Sequence, residues 1–288
     1  MSKFIARIKI EGVIEKEGES YNQKWLLETI EKLTKNKKNA AMVLYIDSPG
    51  GSVYESDEAY LAIKKYKEKT KRPVYAYFAS LAASGGYYIG CSADKIIANR
   101  NTITGSIGVI AGRFLDLSEP MKKYGIKSET IHAGKNKTMG SITEPVTKEQ
   151  RAIMQALADE CYAQFTKIVS DSRKLDLEKV RELADGRIYS ASQAKELGLV
   201  DDIATFDEAV SILKEKEFGD KDYEAEVRKF DLKQKRSLKK LLKGASSFAG
   251  VEPLGAYASE ALTVAGLAGL AGKTKVAFPA FLYDGNLR

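Results

Sequence analysis

The chain has 288 residues, of which 44% are hydrophobic and 30% are charged, and its formal net charge is +7. This composition is typical of a soluble globular protein with ample material for a core. Residues 221–243 hold nine basic and four acidic residues, so the excess charge is local and argues against a nucleic-acid-binding surface over the whole protein. The cysteines, Cys91 and Cys161, match no metal-ligand spacing and are interpreted as free thiols.

Neither a signal peptide nor a membrane-spanning segment is predicted. Residues 1–14 alternate polar and apolar side chains like a strand. Residues 245–272 are rich in Ala, Gly and Leu, but Glu252 and Glu260 interrupt them too often for a spanning helix of about 20 residues. We therefore expect a cytoplasmic location. The basic segment 232–243 is expected to be a solvated face, with contact to anionic lipid as the alternative.

Strands and helices alternate along most of the chain. Strands are predicted at residues 4–10, 41–46, 73–78, 95–98 and 126–131. Helices are predicted at residues 22–36, 53–70, 114–124 and 176–184, with a long helix from Thr147 and a final strand–helix pattern ending near Lys216. This alternation predicts an α/β fold with a mainly parallel sheet and right-handed crossovers.

The long helix carries two further signals. Thr147 and Gln150 have the spacing of a capping box. An apolar stripe with helical spacing is expected to face the core, and it consists of Ile153, Leu157, Cys161, Phe165 and Ile168.

The character of the chain changes at Gly219. Residues 1–218 are predicted to form the folded domain, and residues 219–288 a C-terminal extension that is first basic and then rich in Ala and Gly. Within it, residues 254–271 are small and apolar. One hypothesis is that they lie in the groove of a neighbouring copy or are trimmed there, and the alternative is a disordered or rim-packing tail.

Residues 79–88 crowd small side chains around the hydroxyl of Ser84, and two glycines follow it directly. A serine at a strand-to-helix turn can project its Oγ into a pocket with the next N–H beside it. The alternative is a tight packing seam in which Ser84 merely caps a helix.

A serine nucleophile needs a base. The single histidine, His132, falls at the end of a predicted strand, and no feature of the sequence places it near Ser84. A lysine can serve if burial or a positive neighbour lowers the pKa of its amine. Lys137 and Lys135 share a glycine-containing loop at residues 133–140, and spacing alone does not separate them.

Residues 47–52 leave the carboxyl end of a predicted buried strand, where ligands usually bind in open α/β sheets. Pro49 fixes the turn, and Gly50 and Gly51 expose backbone N–H groups suited to an oxyanion. An ordinary turn and a phosphate cradle are the alternatives, although the chain has neither common nucleotide-binding glycine motif.

Six motifs follow one another in the region of residues 4–216. They are Ser48–Gly51, Ala82–Tyr88, Thr104–Val109, Gly134–Lys137, Asp185–Tyr189 and Gly198–Asp201. Together they resemble the signal peptide peptidase A (SppA) family of serine–lysine proteases, which have a Clp/crotonase-like fold of repeated ββα units. The resemblance implies that Ser84 is the nucleophile, that Lys137 and not Lys135 is the general base, and that Ser106 orients the lysine.

The resemblance also implies that Gly51 and Gly85 donate N–H groups to the oxyanion and that Gly50 and Gly86 contact the substrate. No metal or other cofactor is expected. Members of the family form ring- or dome-shaped oligomers, and short members build each Ser–Lys dyad across a subunit boundary. They cut released signal peptides and other unfolded chains.

The expected function is therefore a serine endopeptidase for unfolded or signal-peptide-like chains. Related phage and prophage enzymes without an anchor, which process capsid and scaffold proteins, are the alternative within the family. An acyl-CoA hydratase or hydrolase on the same fold and a non-catalytic assembly protein are alternatives of other classes.

Overall fold

The computed structural model describes residues 2–232 and the short strand 280–282. The segment 254–271 and nearly all of the basic segment lie outside the described residues. The strands are β1 (Lys3–Glu11), β2 (Asn39–Ser48), β3 (Gly50–Ser52), β4 (Val74–Ala83), β5 (Lys95–Ala98), β6 (Ile103–Gly105), β7 (Ile188–Ser190), β8 (Asp202–Ile203), β9 (Ala225–Phe230) and β10 (Ala280–Leu282). The helices are α1 (Gln23–Lys35), α2 (Val53–Thr70), α3 (Gly85–Gly90), α4 (Ser118–Lys123), α5 (Lys148–Arg173), α6 (Leu177–Leu183), α7 (Ala191–Glu196) and α8 (Phe206–Phe218).

One sheet organises the described residues. Its strand order is β7-β6-β4-β2-β1-β9, and β5 lies between β4 and β8. Every pair in it is parallel except β6 with β7. The predicted α/β fold with a mainly parallel sheet is therefore confirmed.

The central strands are buried on both faces, which explains their continuous apolar sequences. In β2, Leu44 and Ile46 belong to a core cluster shared with α1 and α2, whereas Val43 faces a second cluster that includes Leu213 of α8. Helices thus cover both faces of the sheet, and only the ends of the strands are available for a site.

Strand β4 changes partner along its length. Its first half pairs with β5, up to Phe78 opposite Ala98, and its last residues pair with β6, from Leu81 opposite Ile103. The hydroxyl of Thr102 donates to the carbonyls of Phe78 at 2.9 Å and Ala79 at 2.6 Å where the change occurs. As a result, the carboxyl ends of β4 and β6 lie side by side.

The strand predicted at residues 126–131 is wrong. These residues have no regular secondary structure, and the side chains of Ile126 and Ile131 are 57% and 96% exposed. A strand forms only where a neighbouring strand supplies hydrogen-bonding partners, and no strand of the described residues pairs with this segment. The preceding helix is also shorter than predicted, since α4 spans Ser118–Lys123.

The capping box at the start of α5 is confirmed, because the side chains of Thr147 and Gln150 each accept from the other's backbone N–H. The predicted core-facing stripe is correct only in the second half of the helix. Phe165 is fully buried, but Leu157 is 42% exposed. The first turns of α5 therefore lie outside the core that the stripe was expected to face.

The compact unit continues past the boundary predicted at residue 218. Strand β9 pairs in parallel with β1, from Ala225 opposite Lys3 to Phe230 opposite Ile8, and the unit reaches Leu232. Strand β9 was not predicted, because its side chains are largely charged. An edge strand buries little of its surface and tolerates such residues. Among the described residues, no helix is both long and apolar enough to span a bilayer.

Candidate functional site

The predicted site residues lie at the carboxyl ends of neighbouring parallel strands. Ser48 at the end of β2 is paired with Ala82 near the end of β4, and Ala83 is paired with Gly105 at the end of β6. The turns that follow these three strands therefore meet at one edge of the sheet, the usual place for a ligand in an open α/β fold.

Ser84 forms the turn between β4 and α3. Its backbone dihedral angles are φ 54° and ψ −118°, a conformation rarely adopted by residues other than glycine. Its N–H donates to the carbonyl of Gly105 at 2.8 Å, which fixes the turn against β6. Ser84 occupies the N-cap position of α3, but its hydroxyl makes no capping bond to that helix.

Gly85 and Gly51 lie against each other beside Ser84. A Cβ atom on Gly85 would lie 3.2 Å from the amide nitrogen of Gly51 and 2.5 Å from the Oγ of Ser56. Only glycine fits at residue 85 without displacing these atoms. The N–H of Gly85 is the first of α3 and has no partner within that helix. Two backbone N–H groups, those of Gly51 and Gly85, thus lie close to Ser84.

Ile14 positions Gly51, and sequence reasoning did not identify it. The N–H of Ile14 donates to the carbonyl of Gly50 at 2.8 Å, and the N–H of Ser52 donates to the carbonyl of Ile14 at 2.8 Å. Because successive backbone groups of a strand point to opposite edges, the N–H and C=O of Gly51 point away from Ile14. A Cβ on Gly51 would lie 2.0 Å from the carbonyl oxygen of Ile14, so glycine is required there too.

Gly50 and Gly86 have clear structural roles, and their contact with substrate stays a prediction. Gly50 has a φ of +100°, and its N–H donates to the Oγ of Ser48 at 3.1 Å. The Ser48 hydroxyl donates in turn to the carbonyl of Gly12 at 2.6 Å. A Cβ on Gly86 would lie 3.0 Å from the carbonyl oxygen of Ser48, so this glycine lets α3 approach the end of β2.

Ser106 follows β6 as Ser84 follows β4, and it is also buried with a positive φ, 50°. Its N–H donates to the carbonyl of Arg187 at 2.7 Å, and the N–H of Gly186 donates to the carbonyl of Ile107 at 3.1 Å. The Asp185–Tyr189 motif therefore acts by holding the Ser106 turn beside Ser84.

Lys137 does not meet these serines within one chain. It is exposed, its N–H donates to the carbonyl of Gly134 at 3.0 Å, and across residues 2–232 no hydrogen bond joins its ammonium group to Ser84 or Ser106. Lys135 forms an ion pair with Glu149. The structure therefore brings the serines and glycines together, whereas the exposed Lys137 is not hydrogen-bonded to them within one chain.

His132 is exposed as well, and its ring contacts its own loop. The Nδ1 atom lies 3.1 Å from the carbonyl oxygen of Gly134. Among the described residues of one chain, neither the histidine nor Lys137 is hydrogen-bonded to Ser84.

A hydrogen-bonded trio holds α3 in place. The hydroxyl of Tyr88 donates to Asp57 on α2 at 2.6 Å, and the amide of Gln164 on α5 donates to that hydroxyl at 2.6 Å. Burial, and then the bond to Asp57, raise the pKa of Tyr88 far above its usual range, so the hydroxyl remains a donor. Three helices are tied together directly behind Gly85.

The Gly198–Asp201 motif anchors α5 and α3 to the sheet. Arg173 of α5 pairs with Asp201 at 2.9 Å and donates to the carbonyl of Gly198 at 2.9 Å, and Tyr87 of α3 donates to the carbonyl of Leu199 at 2.8 Å. Burial raises the pKa of Asp201, but hydrogen bonds from Arg173 and from the N–H of Ile96 outweigh it, so the pKa lies below its usual value. This motif supports the site without touching it.

Comparison with known proteins identifies the family of this chain. The sequence profile described as peptidase family S49 matches residues 66–218, which include both serine turns and the lysine loop. The chain belongs to peptidase family S49. This membership confirms the resemblance to SppA proteases and indicates a serine-type peptidase.

Three relatives and one solved structure illustrate the likeness. A candidate protease, slr0021 of Synechocystis sp., is 42% identical over 207 residues, covering 72% of each chain. A candidate signal peptide peptidase SppA of Enterococcus faecium is 38% identical over 76% of this chain and 65% of its own. The chloroplastic serine protease SPPA of Arabidopsis thaliana is 34% identical over 74% of this chain and 31% of its own. A point mutant of ClpP1 from Listeria monocytogenes superposes with a TM-score of 0.48 at 18% identity, covering 69% of this chain and 90% of its own.

The chain thus spans less than two thirds of the Enterococcus and Arabidopsis relatives. Both relatives are named as proteases. Neither name identifies the substrate of the present chain.

Proposed function

We propose that the protein is a serine endopeptidase in which Ser84 is the nucleophile and Lys137 of a neighbouring copy is the general base. The Oγ of Ser84 attacks the peptide carbonyl, and its proton passes to the lysine amine. The N–H groups of Gly51 and Gly85 stabilise the oxyanion, and water then hydrolyses the acyl-enzyme.

The observation that carries this proposal is the turn at Ser84. The chain retains a costly backbone conformation there, about 1–3 kcal/mol for a residue other than glycine, and the hydroxyl that it presents does not cap α3. The Gly51 amide lies next to Gly85, so donors and nucleophile are close enough to act on one carbonyl.

A lysine from a second copy is supported by the surface around Lys137. The chain between β6 and α5, and the first turns of α5, expose large apolar side chains, namely Phe114, Leu115, Tyr124, Ile126, Ile131 and Leu157. Such a concentration marks an interaction surface in an otherwise well-packed protein. A neighbouring copy that covers it would bring its own lysine loop towards Ser84, as expected for a ring built by head-to-tail contacts.

The first experiment compares variants that differ in one group. Ser84→Ala and Lys137→Ala are each expected to abolish cleavage of an unfolded protein, whereas Lys135→Ala, which removes only an exposed ion pair with Glu149, should retain it. Size-exclusion chromatography checks that assembly is unchanged. Full activity of either of the first two variants would refute the proposal.

Mixing the two inactive variants tests whether the site crosses a subunit boundary. When Ser84→Ala and Lys137→Ala subunits are dissociated and reassembled in equal amounts, about one quarter of the sites should receive both intact residues. Recovery of about that fraction of wild-type activity is the expected result. No recovery, with mixed oligomers demonstrated by mass spectrometry, would place both residues in one subunit.

We infer the substrate class from the edge of β3 that faces away from Ile14, where β10 pairs antiparallel with β3 and Phe281 lies opposite Gly51. An extended chain can add to such an edge as a strand, whereas a folded protein cannot. We expect cleavage of unfolded and signal-peptide-like chains, measured by mass spectrometry of the products. Neither the acyl-CoA nor the assembly alternative is favoured by any contact at the site, and the cytoplasmic location stays a prediction.

A further inference from the structure

We infer that Asp47 is a positioning residue for the proposed nucleophile, because its side chain fixes a bulge in β4 that sets where Ser84 lies relative to the oxyanion donors. The inference rests on the proposed function, in which the Oγ of Ser84 attacks the peptide carbonyl. Asp47 acts through the backbone of β4 and not on the substrate.

Strand β4 contains two extra residues opposite Asp47. The paired residues on either side of the bulge are Ile46 with Phe78 and Ser48 with Ala82. One residue of β2, Asp47, therefore faces residues 79–81 of β4. A bulge bends and twists its strand, and bulges next to active sites redirect the side chains that follow them. Here the residue that follows, only three positions after the bulge, is Ser84.

The side chain of Asp47 bonds directly to the bulge. Its Oδ1 atom accepts from the hydroxyl of Ser80 at 2.6 Å and from the N–H of Leu81 at 3.1 Å. The backbone of Asp47 is held in turn by the end of β1, because the N–H of Gly12 donates to its carbonyl at 2.9 Å. One carboxylate oxygen therefore connects the bulge to the centre of the sheet.

The hydrophobic pattern of β4 does not fix this bulge. A shift of the strand by one residue would exchange its two faces, but a shift by two residues returns every side chain to the face that it had. Loss of a two-residue bulge is a shift of the second kind, so polar contacts are needed to specify it. On the β2 side these contacts come from Asp47. On the other side they come from Thr102, which donates to the carbonyls of Phe78 and Ala79.

The alignment of β4 on β2 matters because the two strands carry different parts of the site. Gly51 lies in β3, which follows β2 after a single residue, whereas Ser84 and Gly85 follow β4. Asp47 fixes the alignment immediately before the turn that leads to Gly51. A displacement of reacting groups by about 1 Å can lower a rate about 100-fold, so a small shift of β4 is sufficient to impair catalysis.

Three substitutions of Asp47 separate the position of the acceptor from its charge. Asp47→Asn keeps an oxygen in the same place, Asp47→Glu keeps the charge but moves it by one methylene group, and Asp47→Ala removes the acceptor. We expect a kcat within about threefold of the wild type for the first variant and a loss of about 10- to 100-fold for the other two. The KM should change less, because β3 is not displaced. A kcat of Asp47→Ala within about twofold of the wild type, or equal losses in Asp47→Asn and Asp47→Ala, would overturn the inference.

Two control variants lie on the same strand. Ser80→Ala removes one bond to Asp47 but leaves the N–H of Leu81 in place, so kcat should be kept. Tyr75→Phe removes the bond of 2.9 Å between the Tyr75 hydroxyl and Glu217, near the opposite end of β4, and should lower the Tm without lowering kcat. If Tyr75→Phe lost as much kcat as Asp47→Ala, the loss would reflect a general weakening of β4, contrary to the inference.

Amide hydrogen exchange tests the bulge without catalysis, in the Ser84→Ala background. The Leu81 amide should exchange at least about fivefold faster in Asp47→Ala, the change expected from losing one hydrogen bond, and at the unchanged rate in Asp47→Asn. Unchanged exchange in Asp47→Ala would refute the role of Asp47 and leave the peptidase proposal untouched. A wild-type chain without peptidase activity would refute the proposed function, whereas faster exchange in Asp47→Ala would still support the fixing of the bulge by Asp47.

Discussion

Replacing Gly85 by alanine tests whether the Gly51 amide takes part in catalysis. The added Cβ would lie 2.5 Å from the Oγ of Ser56 and 3.2 Å from the amide nitrogen of Gly51. The Ser56 hydroxyl is itself fixed by a bond of 2.7 Å to the carbonyl of Ser52, so it does not move away without a cost. The new methyl group is therefore expected to push Gly51 and α3 apart.

The size of the effect follows from what the methyl group displaces. Loss of one oxyanion donor typically lowers kcat by about 100- to 1,000-fold, and forcing a methyl group into a packed region costs about 1–3 kcal/mol of stability. We expect Gly85→Ala to lose kcat on that scale, with a smaller change in KM. A quenched fluorescent peptide gives the rates, and thermal unfolding gives the Tm.

Gly90→Ala is the matched control on the same helix. Its Cβ would lie 2.6 Å from the ring of Phe78, a steric clash of similar severity but without contact to Gly51. This variant should lose Tm while its folded fraction keeps a kcat close to that of the wild type. Adding Ser56→Ala to Gly85→Ala removes the Oγ that makes the shorter contact and keeps a good helix former in α2, so the double variant should regain stability but only part of the rate.

A kcat of Gly85→Ala within about twofold of the wild type would refute a catalytic role for the Gly51 amide. It would be refuted equally if Gly90→Ala lost as much kcat as Gly85→Ala, since the loss would then reflect general distortion of α3.

Three further predictions test the support of the site. Burial raises the pKa of Cys91 to about 12, so iodoacetamide should label it only after unfolding, while the partly exposed Cys161 reacts in the native protein; native labelling of Cys91, seen by mass spectrometry, would contradict this. The pKa of Asp201 is lower in the folded state than in the unfolded state. The ionised carboxylate therefore adds to the free energy of unfolding above about pH 4, and this stabilisation is lost as the pH falls through the folded pKa. Asp201→Asn should thus lower the Tm by about 2–4 °C at about pH 7 and by less at about pH 3, and equal shifts would argue against it. Tyr88→Phe leaves Gln164 without one acceptor and should cost about 1–2 kcal/mol in denaturant unfolding, whereas a stability equal to that of the wild type would show that the trio does not hold α3.

Much of the fold could be predicted because local patterns and the final structure agree. Helix α1 matches its periodicity within one residue at each end, and the Thr147 capping box begins α5 as expected. The failures have a common cause. Residues 126–131 were predicted to join the sheet and the stripe before Phe165 to face the core, but no neighbouring element of the described chain covers them. Strand β9 was missed because its pairing with β1 was invisible in its charged sequence.

The sequence by itself determined which residues are candidates for the chemistry. The sequence contains a serine among small residues, paired glycines after a predicted buried strand, and six motifs in a fixed order. They were sufficient to select Ser84, Gly51 and Lys137 and to predict family membership.

Only the tertiary structure decided how these residues are held and which of them meet. Ile14 directs the Gly51 amide, Ser56 packs against Gly85, and β10 pairs with β3, although each pair is separated by tens to hundreds of residues. Hydrogen bonds of this kind depend on which strand edges the fold leaves available, and spacing along the chain does not encode that. The same reason explains Lys137: the family resemblance selected it as the base, but within one chain it is exposed and makes no hydrogen bond to Ser84.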